Sequence, residues 1–169
     1  MISIMITENE ILKRVAELGS EIKKDYLNED LVLIGVLRGS ILFMSDLSKH
    51  LDPKTTEFEF LQVNSYSDNE STGKVSLVSD IVSDIKGKNA IIIEDILDTG
   101  ITLDFIINHI KSKNPKSLKV CTLLNKGKVD HIQIDYIGFK IPNKFVIGYG
   151  LDYNNKFRNL TYIGNLTEG

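Results

Sequence analysis

The chain lacks the features that mark several protein classes. Its 169 residues include one cysteine, no tryptophan and only 3 prolines. The lone Cys121 excludes a disulfide scaffold, and its apolar surroundings favour a buried thiol in a reducing compartment. No apolar run approaches the ~18 residues that span a bilayer. The hydrophobic start, residues 1–6, lacks the basic region that a secretory signal peptide carries. We therefore expect a cytoplasmic protein without a membrane partner.

The charge balance is also close to neutral. There are 20 basic and 23 acidic residues, which gives a formal net charge of −3. A broad basic surface for nucleic acid is therefore not expected. Hydrophobic residues make up 42% and charged residues 25%, as in ordinary globular proteins. The length suits one domain, which we predict to span residues 1–169.

Strand and helix patterns alternate along the chain. Thr7 and Glu10 have capping-box spacing, which predicts the start of an amphipathic helix that continues to about Ile22. Further helices are predicted from Ile41 toward Leu51 and across Leu103 to Ile110, ending before Pro115. Strands are predicted at residues 31–37, 56–63, 90–93, 118–124, 132–139 and 145–149, with a polar and mobile loop at 64–74.

This alternation predicts an α/β fold, a doubly wound and mostly parallel sheet flanked by helices. The run Leu31 to Leu37 is apolar throughout, as in a strand that is covered on both faces. In such sheets the ligand binds beyond the carboxyl ends of the strands. The chemically unusual segments of this sequence follow predicted strands, so we expect them to meet at that edge.

The strongest chemical signal follows the strand at 90–93. Glu94, Asp95 and Asp98 would repel one another and need a counter-charge or hydroxyl donors. The next residues, Thr99-Gly100-Ile101-Thr102, offer amides, hydroxyls and a helix N-terminus to a phosphate. A phosphorylated sugar with a bridging Mg²⁺ would satisfy both the acids and this phosphate-binding segment. The alternative is that the acids only cap a helix and lie on the surface of an ordinary loop.

These segments also resemble a known family. Ile91 to Leu103 is similar to the 5-phosphoribosyl-1-pyrophosphate (PRPP) motif of purine phosphoribosyltransferases, and Leu37-Arg38-Gly39-Ser40 resembles their pyrophosphate loop. Ser65-Tyr66 is similar to the start of the family's flexible lid. Phe139 to Asp152 resembles the base-binding end of the hypoxanthine (or hypoxanthine-guanine) branch. The motifs follow the family's order over nearly the whole chain. The resemblance implies a type I phosphoribosyltransferase-like fold with a small hood from the terminal segments and a flexible lid loop.

The resemblance implies transfer of the 5-phosphoribosyl group from PRPP to hypoxanthine or guanine, giving IMP or GMP and pyrophosphate in purine salvage. Asp98 would be the catalytic base near the purine N7. The implied binding residues are Glu94, Asp95, Asp98, Thr99, Gly100, Ile101 and Thr102 for the ribose and 5′-phosphate; Leu37, Arg38, Gly39 and Arg158 for pyrophosphate, with a cis bond between Leu37 and Arg38; and Lys126, Phe145, Val146 and Asp152 for the 6-oxopurine. Mg²⁺ would be held by Glu94, Asp95 and Asp152, and Ser65 and Tyr66 would be the first residues of the lid loop.

The sequence departs from the family pattern at two places. The lid reads Asn64-Ser65-Tyr66-Ser67 where Ser-Ser-Tyr-Gly is common, and Arg38 stands where lysine is common. Three alternatives stay open: a PRPP-sensing RNA-binding regulator on the same fold, a phosphorelay receiver domain, and a xanthine-preferring relative. The family also implies a homo-oligomer, a dimer or a tetramer. The three histidines have no metal-ligand or triad spacing, so we expect them to be structural or surface residues.

Overall fold

The computed structural model describes residues 1–65 and 75–166. The elements follow one another in the order β1 (Ile2–Ile6), α1 (Glu8–Asp25), β2 (Leu31–Leu37), α2 (Ile41–Ser48), β3 (Thr56–Ser65), β4 (Val75–Ser79), β5 (Asn89–Leu97), α3 (Ile101–Lys111), β6 (Ser117–Asn125), β7 (Tyr136–Lys140), β8 (Val146–Ile147) and β9 (Ile163–Leu166). No helix in the described ranges is long and apolar enough to cross a membrane.

Six strands form the central sheet in the order β4-β3-β2-β5-β6-β7. Every neighbouring pair is parallel except β3 and β4, which are antiparallel. Helices α1 and α2 pack on the face that includes Leu33, and α3 packs on the face that includes Val32 and Ile34. Because both faces of β2 are covered, the strand is apolar at every position. The predicted fold class is confirmed.

A second, three-stranded sheet joins the two ends of the chain. In it β9 lies between β1 and β8, antiparallel to both, with Ile2 opposite Leu166 and Val146 opposite Asn165. We call this sheet the hood. The Tyr149 hydroxyl donates a 2.7 Å hydrogen bond to Asp46 Oδ2 on α2, which fastens the hood to the body of the protein. The terminal segments thus form the hood that the resemblance implies.

The first helix begins where the sequence predicts. The Glu10 amide donates to Thr7 Oγ1 at 3.4 Å, and the Thr7 amide donates to Glu10 Oε2 at 2.8 Å. This reciprocal pair satisfies two amides that the helix itself leaves without acceptors.

Several predicted boundaries are wrong. The strand predicted at 132–139 is β7, Tyr136–Lys140, because Ile132 packs beneath α3 in the core of that face instead of extending the sheet. The strand predicted at 145–149 is only Val146–Ile147, since the chain turns at Gly148, and α2 ends at Ser48 instead of reaching toward Leu51. Asn64 and Ser65, predicted as loop, belong to β3 because β4 pairs with them. The remaining loop prediction, residues 66–74, lies outside the described residues.

Candidate active site

The candidate active site lies at the carboxyl end of the central sheet. The loops that follow β2, β5 and β6 meet there because these three strands are parallel neighbours. The turn after β8, in the hood, closes over the β2 loop. This is the edge at which open α/β sheets bind ligands.

The β2 loop, residues 37–40, is pressed between two other segments. A Cβ atom added at Gly39 would lie 1.6 Å from Asp95 Oδ2, and one added at Gly150 would lie 2.0 Å from the Gly39 carbonyl oxygen. Gly150 also has a φ of 100°, which favours glycine. The peptide between Leu37 and Arg38 is cis, as the resemblance implies. The β2 loop, the end of β5 and the hood therefore touch through backbone atoms and one carboxylate.

Arg38 extends from this loop into solvent. Its side chain is exposed and makes no hydrogen bond or ion pair with any residue in the described ranges. The neighbouring Ser40 is fully buried, and its hydroxyl donates to the Val36 carbonyl at 2.7 Å. Ser40 therefore holds the loop, while Arg38 can reach an anion.

Two acids stand side by side at the end of β5. Glu94 is buried, and its Oε1 accepts a 3.2 Å hydrogen bond from the Asp95 amide. Burial raises the pKa of Glu94 well above its ordinary value, and the neighbouring Asp95 charge adds to the effect. Burial also raises the pKa of Asp95, against the attraction of the Arg158 charge. A cation or several hydroxyl donors placed here would stabilise both carboxylates.

A cavity of about 90 Å³ opens beside these acids. Its walls come from the end of β5 and the start of α3, and the lining residues are Glu94, Ile96, Leu97, Asp98, Thr99, Gly100, Thr102 and Leu103. Gly100, with a φ of 81°, turns the chain into α3, and a Cβ there would press on Val129 and Ile132. The cavity therefore presents the N-terminus of α3 and threonine hydroxyls, which suit a phosphate. Ile101 also belongs to this first turn, although its side chain is 52% exposed.

Asp98 is held by two lysines. Lys126 Nζ lies 2.7 Å from Asp98 Oδ2, and Lys128 Nζ lies 2.7 Å from Asp98 Oδ1. Burial pushes the pKa of Asp98 up, but the hydrogen bonds from Lys126 and Lys128 outweigh it and leave the pKa below its ordinary value. Both oxygens of the carboxylate are thus occupied by lysines. Lys128 was missed from the sequence, where its only signal is its position two residues after Lys126.

The hood contributes a second charged pair and an aromatic side chain. Arg158 forms an ion pair with Asp152 at 2.7 Å and donates a 2.7 Å hydrogen bond to the Gly150 carbonyl. Phe145 is 53% exposed and contacts Tyr153 edge to face, so it is not the core aromatic that its pattern alone would indicate. Val146 is buried in β8, where it pairs with Asn165 of β9.

The predicted metal ligands fall into two groups. Glu94 and Asp95 are adjacent, whereas Asp152 pairs with Arg158, and the described part of the chain contains no cluster of three metal-ligating side chains. Mg²⁺ commonly uses one or two carboxylates together with substrate phosphates. The adjacent pair of buried Glu94 and half-buried Asp95 fits that donor set. Of the predicted lid residues, Ser65 ends β3, and Tyr66 lies outside the described residues.

Comparison with known proteins shows the family to which the chain belongs. Residues 5–154 match the family model described as "Phosphoribosyl transferase domain". The chain is 45% identical to the hypoxanthine-guanine phosphoribosyltransferase of Mycobacterium bovis, over 97% of this chain and 85% of that one. It is 42% identical to the hypoxanthine-guanine phosphoribosyltransferase of Bacillus subtilis, over 96% and 92%.

Solved structures give the same result. A hypoxanthine-guanine phosphoribosyltransferase from Bacillus anthracis superposes with a TM-score of 0.91 at 41% identity, covering 98% of each chain. A hypoxanthine phosphoribosyltransferase from Staphylococcus aureus superposes with a TM-score of 0.91 at 45% identity, covering 98% of this chain and 91% of that one. The chain therefore belongs to the phosphoribosyltransferase family.

Proposed function

We propose that this chain is a purine salvage enzyme that transfers the 5-phosphoribosyl group of PRPP to hypoxanthine or guanine, giving IMP or GMP and pyrophosphate. The observation that carries the proposal is the pairing of two half-sites at one sheet edge. The cavity lined by Glu94 and the start of α3 suits the ribose and phosphate, and Asp98, which lines the same cavity, pairs with Lys126, which suits the base. The identity with hypoxanthine-guanine phosphoribosyltransferases over nearly the whole chain supports this reading.

PRPP binds at the β5 end in this proposal. Thr99, Gly100, Ile101 and Thr102 hold the 5′-phosphate at the N-terminus of α3, where unpaired amides attract an anion. Glu94 and Asp95 face the ribose hydroxyls and hold Mg²⁺, with Asp152 on the hood side as a further acid. Bound Mg²⁺ would supply positive charge to the pyrophosphate group. Burial raises the pKa values of Glu94 and Asp95, which supports this assignment, because a bound cation would offset the cost of keeping both carboxylates charged there.

The leaving pyrophosphate is assigned to the β2 loop and the hood. Arg38 supplies an exposed cation, and the backbone of Leu37 and Gly39 lets the pyrophosphate approach the loop closely. Arg158 supplies a second cation, already held by Asp152 and the Gly150 carbonyl. Positive charges placed where the anion develops lower the barrier to its departure.

The purine is assigned to the space between Lys126 and the hood. Phe145 stacks on the ring, the backbone of Val146 meets its edge, and Lys126 donates to O6. As the bond from the ribose C1′ to pyrophosphate breaks, its electron pair leaves on the pyrophosphate oxygen, and purine N9 bonds to C1′. Asp98 accepts the proton from N7. In this proposal Lys126 moves to O6 of the base from Asp98 Oδ2, from which its ammonium lies 2.7 Å in the free protein.

A product assay tests the proposal. The protein is incubated with PRPP and Mg²⁺ and with hypoxanthine, guanine, xanthine or adenine in parallel, and Asp98→Asn is assayed beside it. We expect nucleotide from hypoxanthine or guanine, and a loss of about 10²- to 10⁴-fold in the variant, as for other general bases. Preferential turnover of xanthine would show that the proposed base is wrong while the reaction is right. PRPP binding without turnover of any base would contradict the proposal that the protein is an enzyme.

We also propose that residues 1–169 act as one domain and that the chain assembles as a homo-oligomer, a dimer or a tetramer. The pairing of β1 with β9 supports the first point. For the second, the side chains of Phe58 and Phe60 on β3 are 53% and 39% exposed. Neighbouring exposed aromatic side chains of this kind mark protein–protein interfaces. Light scattering after gel filtration measures the assembly, and a monomeric mass at micromolar concentration would contradict it.

A further inference from the structure

The two lysines that bind Asp98 differ in how far their side chains are exposed to solvent. The Lys126 side chain is 9% exposed, whereas Lys128 is 37% exposed and Asp98 is 41% exposed. Between the two lysines Gly127 turns with a φ of 68°, and its amide donates to Asn125 Oδ1 at 2.7 Å. The turn brings both ammonium groups to one carboxylate, Lys126 from the site side and Lys128 from the solvent side.

In the proposed function, purine binding displaces Lys126 from Asp98 and leaves Lys128 in place. A purine that takes the Lys126 ammonium at O6 and one Asp98 oxygen at N7 breaks the contact between Lys126 and Oδ2. Nothing in that binding mode competes for Oδ1, where Lys128 sits at 2.7 Å. Lys128 is then the cation that remains on Asp98.

The charges around Asp98 make the remaining cation important. Burial raises the pKa of Asp98, and hydrogen bonds from Lys126 and Lys128 lower it. The other titratable group that lines the same cavity is Glu94 on β5. Without Lys128, departure of Lys126 would leave Asp98 with no cation among these groups, and a protonated carboxyl cannot accept the N7 proton.

We propose that Lys128 is a positioning residue: it stays on Asp98 Oδ1 through the reaction and keeps that carboxylate ionised when Lys126 moves to the base. This inference rests on the proposed function, since it needs a purine that engages Lys126. It adds a residue that acts on the base through Asp98 without touching the substrate.

Three variants test the role by pH profile. Lys128→Met removes the cation, Lys128→Arg retains it, and Lys13→Met removes a similar exposed lysine from α1. We expect the acidic limb of kcat/KM for hypoxanthine to move to higher pH in Lys128→Met, with a loss of about two- to fivefold at the acidic end, the size that an exposed ion pair supports. The plateau at higher pH should keep its height. Lys128→Arg and Lys13→Met should follow the unmodified protein.

Other outcomes contradict the inference. Identical limbs in Lys128→Met and the unmodified protein would show that Asp98 does not depend on this lysine. A loss of equal size at every pH that Lys128→Arg does not restore would show a purely structural role.

A second measurement does not require turnover. The Asp98 carboxyl carbon is followed by ¹³C NMR in the unliganded protein and assigned by its disappearance in Asp98→Asn. We expect its titration midpoint to lie below the ordinary range and to rise in Lys128→Met. An unchanged midpoint overturns the inference even if the enzyme is active, whereas a shifted midpoint in a protein that makes no nucleotide overturns only the proposed function.

Discussion

At the residue scale, the contact between Gly39 and Asp95 joins the two loops that are assigned to pyrophosphate and ribose. A Cβ at position 39 would sit 1.6 Å from Asp95 Oδ2, closer than any real contact. Gly39→Ala must therefore move the carboxylate or the loop. Because misplacement by about 1 Å can cost about 10²-fold in rate, we expect kcat/KM to fall by that order while the fold survives.

Gly87→Ala is the matched control for this prediction. Gly87 has a φ of 74°, and a Cβ there would meet no atom within 4 Å. Its replacement should reduce the free energy of unfolding by about 1 kcal/mol through backbone strain and leave kcat/KM unchanged. Steady-state kinetics and urea unfolding of both variants separate the two effects. Equal activity in Gly39→Ala and Gly87→Ala would show that the contact has no part in the reaction.

Some residues of the site are predictable from sequence patterns, whereas Lys128 is not. The acids and threonines between the end of β5 and the start of α3 were found because their types and spacing already suit a phosphate and a ribose. Lys128 was not, since a lysine three residues beyond a strand end is usually solvated. Its meeting with Asp98 depends on the Gly127 turn and on the parallel register of β5 and β6, which pairs Leu97 with Asn125.

At the scale of elements, one ion-pair group fastens β4 to α3. Asp80, directly after β4, bonds His109 Nε2 at 2.9 Å and Lys113 Nζ at 2.7 Å. Burial raises the pKa of Asp80, but the bonds from Lys113 and His109 outweigh it, so the net pKa is below its ordinary value of 3.8. A lowered folded-state pKa adds stability that is complete above pH 3.8 and is lost as the pH falls through the folded-state value.

We therefore expect Asp80→Asn to lower the free energy of unfolding by about 1 kcal/mol at pH 7. The difference from the unmodified protein should shrink as the pH falls below the ordinary aspartate value. Urea unfolding across that range measures it, with Asp30→Asn, an exposed aspartate, as the control. A difference that stays constant with pH would mean that the carboxylate charge does not stabilise this junction.

The predictability of each element follows from where its partners lie. The bounds of β2 were predicted correctly because a strand covered on both faces carries its own apolar signature. The strands β1 and β4 were missed, since each lies at a sheet edge and is defined by a partner elsewhere in the chain. The residues before β7 are apolar for a different reason: Val129 and Ile132 cover Gly100 at the start of α3.

At the scale of the whole molecule, the hood carries the purine side of the proposed site, and its edge strand β1 comes from the far end of the chain. Deleting residues 2–5 removes most of β1 but keeps Thr7, which caps α1. The loss leaves β9 paired on one side only, so the hood spends less time in its binding geometry. We expect KM for hypoxanthine to rise about tenfold, as when the competent fraction falls tenfold.

The KM for PRPP is the internal control. The phosphate cavity is built from β5 and α3, neither of which contacts β1 in a sheet. PRPP depends on the hood only through Arg158 and Asp152, so its KM should rise less than the KM for hypoxanthine. Steady-state kinetics with each substrate varied in turn give both values. Equal changes in the two constants would show that the hood serves the site as a whole instead of its purine side.

The pairing of Ile2 with Leu166 also has a consequence for how the protein is made. Contacts between residues so far apart in sequence carry a large loop-closure cost and form late in folding. During synthesis the strands and helix that surround the phosphate cavity leave the ribosome before β9 does. The nascent chain therefore completes its phosphate-binding half first, and the surface assigned to the base is assembled only when the end of the chain returns to meet its beginning.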